Sequence, residues 1–242
     1  MNIRVEIEKD YDAMSVRAAE IFGEAIRERP RAAFGFATGS TPVGLYGELV
    51  RLHGEGLDFS GISTFNLDEY HPISPKSDQS YYYFMQQHLF GKVNVDPSRV
   101  NLPDGDAADP VAEAAAYEAK IQDSGGIELQ VLGIGLNGHI GFNEPDESFG
   151  AGTRYVPLSE VTINSNARHF DDPADVPRHA ITMGIRTIML CRNIVLMANG
   201  AAKAEILRDS LMGPITPLVP ASVLQLHPSV IVLADSEAAS LL

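Results

Sequence analysis

Two hydrophobic periods alternate along this chain, and their alternation predicts its architecture. Residues 3–7 (I-R-V-E-I) switch between apolar and polar, the period-two pattern of a sheet strand. Residues 11–27 carry apolar side chains at helical spacing, and Pro30 closes that segment. Short continuous apolar runs at 32–37, 62–67, 129–134, 193–198 and 230–234 read as buried strands. Between them, 43–52, 80–89, 112–121 and 201–211 read as helices; the second has an aromatic face and the third is alanine-rich. Strand–helix alternation of this kind implies a largely parallel sheet with helices on both faces, an α/β layout. No internal repeat, low-complexity tract or linker interrupts it, so residues 1–242 are expected to form one domain. The stretch 144–178 is polar and irregular, which suits a lid or binding loop, with disorder as the alternative.

Composition narrows the partners. A net charge of −14 argues against nucleic acid or an anionic membrane as the main partner. An anionic substrate would need local basic side chains and backbone amides to override that field. No apolar run approaches about 18 residues, so no membrane span is expected. The N-terminus has no basic-then-apolar signal pattern, and the expected location is cytoplasmic. The single cysteine, Cys191, excludes an internal disulfide and fits a reducing compartment. Its apolar setting, M-L-C-R-N-I-V-L, points to packing.

In parallel sheets ligands bind at the carboxyl ends of strands. Three predicted strands end in unusual polar sequences, and if the strands are parallel these share one edge. After 32–37 come Thr38, Gly39, Ser40, Thr41 and Pro42, hydroxyls and amides at a helix start that suit a phosphate. An ordinary N-cap, with Ser40 or Thr41 capping and Pro42 at the first helical position, accounts for the same residues. After 62–67 come Asp68-Glu69-Tyr70-His71. Adjacent side chains on a strand point to opposite faces. One carboxylate is therefore expected to face the pocket, and Asp68 is the choice for a proton-transfer base. A helix cap or plain surface charge is the alternative.

The third strand opens into G-I-G-L-N-G-H-I-G-F-N-E-P at 133–145. Asn137, His139 and Glu144 sit among four glycines, Gly133, Gly135, Gly138 and Gly141. His139 and Glu144 are plausible acid–base partners. The glycines match G-x-G-x-x-G, but Gly141 and Pro145 follow where a dinucleotide motif needs a helix, so no nucleotide is expected. His139, Glu144 and Asp68 would suit a divalent ion, yet no second histidine lies at ligand spacing, so no metal is expected. Basic residues are few, 18 in all. Arg168 lies among amides in the irregular stretch. Lys203 opens a helix against its dipole, which a nearby anion would explain.

Together F-N-L-D-E-Y at 65–70, S-Y-Y-Y-F-M at 80–85 and the 133–145 motif resemble the glucosamine-6-phosphate deaminases, as do the T-G-S-T-P loop, the Arg168 region and L-Q-L-H-P at 224–228. The resemblance runs from the N-terminus to near residue 235. It implies a Rossmann-like three-layer sandwich with a mainly parallel central sheet. It also implies a cofactor-free conversion of glucosamine 6-phosphate and water to fructose 6-phosphate and ammonia, in amino-sugar catabolism. Related phosphosugar enzymes, a 6-phosphogluconolactonase or a galactosamine-6-phosphate isomerase, and a non-catalytic sugar-phosphate sensor are the alternatives. By resemblance Asp68 is the enolisation base, and His139 opens the ring with Glu144 and Asn137 assisting. Thr38, Gly39, Ser40, Thr41, Arg168 and Lys203 bind phosphate. Many members of the family have aspartate at the place of Asn137, so ring-opening assistance is expected to rest mainly on Glu144. Allosteric hexameric members carry a longer C-terminus and a basic residue near position 156. By resemblance part of the effector's cationic cluster would lie around Arg154 and position 156; here position 156 is valine, so no activation by N-acetylglucosamine 6-phosphate is expected, and the chain is expected to be a monomer or a small homo-oligomer.

Overall fold

The computed structural model describes residues 3–160, 162–163 and 176–242. Seven strands form one sheet: β1 (Ile3–Glu8), β2 (Ala33–Phe36), β3 (Ser63–Asn66), β5 (Val100–Asn101), β6 (Ile127–Leu132), β9 (Asn193–Ala198) and β10 (Val230–Asp235). Their order is β1-β10-β9-β6-β2-β3-β5, and every pairing is parallel. The inner strands are buried on both faces, which is why they read as continuous apolar runs; all four residues of β2 are buried, whereas the edge strand β1 has only half-buried and exposed positions.

Helices cover both faces. Phe36 of β2 packs on Phe22 of α1 (Tyr11–Glu28), with ring centroids 5.8 Å apart. Phe65 of β3 pairs with Gly35, so it points the opposite way and meets Tyr117 of α4 (Pro110–Asp123) at 5.8 Å. Asp10 caps α1 by accepting from the Ala13 amide at 2.8 Å, and the helix stops just before Pro30. α2 (Val43–Gly54) packs against α1. Cys191 is buried, and burial pushes its thiol up to about 12, in keeping with a packing role. Among the described residues no helix is long and apolar enough to cross a membrane.

A second, three-stranded antiparallel sheet departs from the expected layout. It contains β4 (Asp68–His71), β8 (His179–Thr182) and β7 (Arg154–Pro157), in the order β4-β8-β7. Residues 68–71, read from the sequence as a loop, are thus a strand, separated from β3 only by Leu67. The Leu67 amide still donates to Phe36 of the large sheet at 3.0 Å, while its carbonyl accepts from Met183 at 2.7 Å beside the small one. The chain changes sheets at Leu67, and Asp68 is the first residue past the change. The stretch 144–178 is likewise not wholly irregular, since it contributes β7. R-Y-V-P is short, half-exposed and ends in proline, so it carries no period to detect. The remaining helices are α3 (Tyr81–His88), α5 (Ile185–Met189) and α6 (Ala204–Met212).

Candidate active site

The chain runs from β2 outward to β3 and later returns to β6 on the other side of β2. That reversal leaves a crevice beyond the carboxyl ends of β2 and β6, the place where such sheets bind ligands. A cavity of about 340 Å³ fills it. Thr38, Gly39, Ser40, Thr41, Asp68, His139 and Lys203 all line it, so the three strand-end loops do share one edge. Arg168 lies outside the described residues.

Asp68 and Glu69 divide as strand geometry requires. Both are buried, at 6% and 2% exposure. Glu69 turns away from the cavity and accepts the amides of Tyr70, Tyr81 and Tyr82 at 3.0, 2.9 and 2.9 Å. It is therefore the helix cap of the pair, holding the start of α3 and with it Tyr81, another cavity residue. Burial pushes Glu69 up to about 7 against the pull of those amides. Asp68 faces the cavity and, among the described residues, accepts no hydrogen bond. Burial, with Glu69 beside it, pushes its carboxyl up to about 8.

The loop after β6 presents His139. Its ring lies directly on Gly135, where a Cβ would come within 2.3 Å of the imidazole, so only glycine fits there. Gly141 has φ +58, and a side chain there would crowd Thr182 at 3.0 Å and Asp68 at 3.3 Å. No helix begins in this loop, so the dinucleotide-like glycine spacing serves tight turns around the histidine.

Asn137 and Glu144 stand behind His139. The Asn137 Nδ2 donates to Glu144 Oε2 at 2.6 Å, and Asn137 Oδ1 lies 2.7 Å from His139 Nδ1. A carboxylate only accepts, so Glu144 fixes which way the Asn137 amide points. The amide oxygen must then accept from His139, which places the proton on Nδ1 and leaves Nε2 as the acceptor. Glu144 Oε1 is itself 3.5 Å from Nδ1. Burial raises the Glu144 carboxyl, but His139, Thr162 and Asn137 outweigh it and hold it at about 2. Thr162, which the sequence reading passes over, lines the cavity and donates to Glu144 Oε1 at 2.5 Å. No local pattern marks it.

On the opposite wall, α2 begins at Val43 with Pro42 in the cap position, and no side chain caps it. The alternative reading, a cap by Ser40 or Thr41, does not hold, and the Thr41 hydroxyl donates to Asn199 at 3.1 Å. Among the described residues the amides of Gly39, Ser40 and Thr41 donate to no partner. Across from them Lys203 ends the short turn Ala201–Lys203 that leads into α6. Its Nζ donates to the Ile134 carbonyl at 2.6 Å, and burial lowers its pKa. Free amides, hydroxyls and a lysine converge where an anion would be held. Among the described residues no group of three or more His, Cys, Asp or Glu side chains is placed to hold a metal ion.

Fold and site together define a sugar-phosphate enzyme of the α/β class, and the chain belongs to the family of glucosamine-6-phosphate isomerases and 6-phosphogluconolactonases, whose model matches residues 8–232. It is 50% identical over 241 residues to the glucosamine-6-phosphate deaminase of Halothermothrix orenii, covering 99% of this chain and 100% of that one. The Clostridium perfringens glucosamine-6-phosphate deaminase is 48% identical over 99% of this chain and 100% of its own. Among solved structures, a monomeric glucosamine-6-phosphate deaminase superposes with a TM-score of 0.96 at 45% identity, over 99% of this chain and 100% of that one. A 6-phosphogluconolactonase from Trypanosoma cruzi shares the fold, with a TM-score of 0.77 at 20% identity over 98% and 96% of the two chains. The family resemblance read from the motifs is borne out.

Proposed function

We infer that this chain is a glucosamine-6-phosphate deaminase, converting glucosamine 6-phosphate and water to fructose 6-phosphate and ammonia, as its close relatives are named to do. The observation that carries the reading is the cavity itself. It joins a buried carboxylate without a hydrogen bond, a histidine of fixed tautomer and an anion-ready wall. Lactone hydrolysis needs no base at C2, whereas isomerisation does, and in this reading Asp68, on the cavity wall, is that base.

The phosphate is held by the amides and hydroxyls of Thr38, Gly39, Ser40 and Thr41, by Lys203 and by Arg168, and this remote anchor orients the reacting carbons. His139 Nε2 takes the proton of the anomeric hydroxyl. The C1–O5 bond then breaks and O5 receives a proton. Glu144 stabilises the transient imidazolium, with Asn137 holding the ring. Asp68 removes the C2 proton, whose electrons form the C1–C2 double bond while the C1 carbonyl pair moves onto O1, which takes up a proton. Asp68 then returns a proton to C1 as the amino lone pair forms the C2 imine. The resulting C2 imine adds water and expels ammonia, leaving the ketone. No cofactor takes part in these steps. The chain works as one domain and as a monomer, in line with the monomeric structural neighbour.

Two expectations follow from the cavity's charges. Asp68 must be ionised to act, and its carboxyl is raised to about 8. In the free enzyme the base form therefore grows as pH rises toward 8. A plot of log(kcat/KM) against pH should climb with unit slope through neutrality and level near 8, rather than near the ordinary carboxylate value of about 4. A profile flat from pH 5.5 upward would contradict this. Lys203→Ala should raise KM for glucosamine 6-phosphate by roughly tenfold or more, the scale of a lost charge-assisted contact. It should leave the slow rate on unphosphorylated glucosamine unchanged. An unaltered preference for the phosphorylated sugar would sink the assignment.

The reading is tested by offering the enzyme glucosamine 6-phosphate and 6-phosphogluconolactone in parallel. Ammonia release from the first, without accelerated hydrolysis of the second, is expected; the reverse pattern would make the chain a lactonase.

A further inference from the structure

Arg154 opens β7 and does not line the cavity. Its guanidinium is partly buried; burial lowers its pKa, with Asp146 opposing. Taking a charge out of water costs stability unless something is gained from it. Among the described residues its side chain makes one hydrogen bond, from Nη1 to the Asn143 Oδ1 at 2.7 Å.

Asn143 is 2% exposed and sits where three parts of the site meet. Its Nδ2 donates to the Ile140 carbonyl at 2.8 Å and to the Met183 carbonyl at 2.9 Å. Ile140 follows His139 in the chain, and Glu144 follows Asn143. Met183 donates in turn to the carbonyl of Leu67, the residue before Asp68. One side-chain amide therefore ties the carriers of His139, Glu144 and Asp68 together. It is held from both sides, by the two carbonyls on Nδ2 and by Arg154 on Oδ1. A guanidinium only donates, so Oδ1 must face it and Nδ2 must face the two carbonyls. Without Arg154 the amide oxygen is left buried and unsatisfied, and the amide loses the contact that anchors its outer end.

Gly150 makes room for this arrangement. A Cβ there would lie 2.1 Å from the Arg154 Cζ, so the guanidinium lies across bare backbone. We propose that Arg154 is a positioning residue for the reaction: acting through Asn143, and seated on Gly150, it holds the proton-transfer groups in register without touching substrate. The proposal rests on the deaminase reading. It also gives Arg154 an inward task in place of the effector contact that the family resemblance suggested.

Two variants test it from opposite sides. Arg154→Met keeps the apolar stem and removes the donors. Gly150→Ala keeps every functional group and displaces the flexible end of Arg154. Ammonia release, KM and the thermal midpoint are measured for both beside the unaltered protein. Both variants should lose kcat by roughly tenfold to a hundredfold, the scale of a small misplacement of catalytic groups. KM should stay near that of the unaltered protein, because the phosphate wall is untouched. Adding Asn143→Ala to Arg154→Met should lower kcat no further than Asn143→Ala alone. Unchanged kcat in Arg154→Met would overturn the proposal. So would a loss that comes with a collapsed thermal midpoint while Gly150→Ala keeps full kcat. If the unaltered protein itself releases no ammonia, the deaminase reading fails first, and the two failures are told apart by that control.

Discussion

Asp68→Asn should lower turnover of glucosamine 6-phosphate by roughly 10²–10⁴-fold while leaving substrate affinity nearly intact. The amide keeps the shape of the side chain but cannot take the C2 proton. The same change should make the protein more stable at alkaline pH. The folded carboxyl is raised from 3.8 to about 8, so its ionisation opposes folding. Stability is lost as pH rises from near the unfolded value through the folded one. Asparagine removes that loss. The variant's thermal midpoint should therefore exceed that of the unaltered protein above pH 8, by about 2–4 °C for each kcal/mol relieved, and the gap should close below pH 4. Activity and stability would move in opposite directions, as happens when a catalytic group is held in an unfavourable setting. A variant that still exchanges the C2 proton with solvent at full rate would show that another group is the base.

His139→Gln should be limited by ring opening and lose about 10²-fold or more in kcat. The contacts behind the ring set its role. Glu144 orients Asn137, Asn137 fixes the Nδ1 proton, and Nε2 is left to exchange protons in the cavity. Glutamine retains polarity but cannot cycle between base and acid. Glu144→Gln should be milder: with its NH2 turned to Thr162, whose hydroxyl can accept, its one oxygen still accepts from Asn137, and the negative charge near the ring is lost. Measuring both variants at saturating substrate separates the two roles. A His139→Gln enzyme with unchanged kcat would remove the histidine from the mechanism.

The inner strands of the large sheet were legible because they are buried on both faces and sit between polar stops, and β1 was legible from its alternation; β5, two half-buried residues, carries no signal and is missed. The run at 193–198 matches β9 end to end, and 32–37 overshoots β2 by one residue on each side. The small sheet was not legible. D-E-Y-H and R-Y-V-P are four-residue strands paired through β8, far along the sequence, and neither has an apolar period. In the site, parity along a strand was enough to prefer Asp68 over Glu69, and the helix-cap alternative proved to apply to Glu69. Lys203 followed from a charge set against a helix dipole. The alternative cap by Ser40 or Thr41 does not form because α2 starts one residue later than that reading places it, with Pro42 in the cap position, and the Thr41 hydroxyl donates to Asn199. The parts of the site that depend on side-chain orientation across the fold could not be read at all. The amide of Asn137 is set by Glu144, that of Asn143 by Arg154 together with the Ile140 and Met183 carbonyls, and Thr162 reaches Glu144 from a stretch without pattern.

The account turns on isomerisation coupled to loss of the amino group in one cavity. The most direct measurement follows glucosamine 6-phosphate consumption while ammonia and fructose 6-phosphate are quantified in the same reaction. The account predicts that the two products form in equal amounts at every time point, and that Asp68→Asn suppresses both together. Ammonia without fructose 6-phosphate, or sugar isomerised without ammonia, would contradict it.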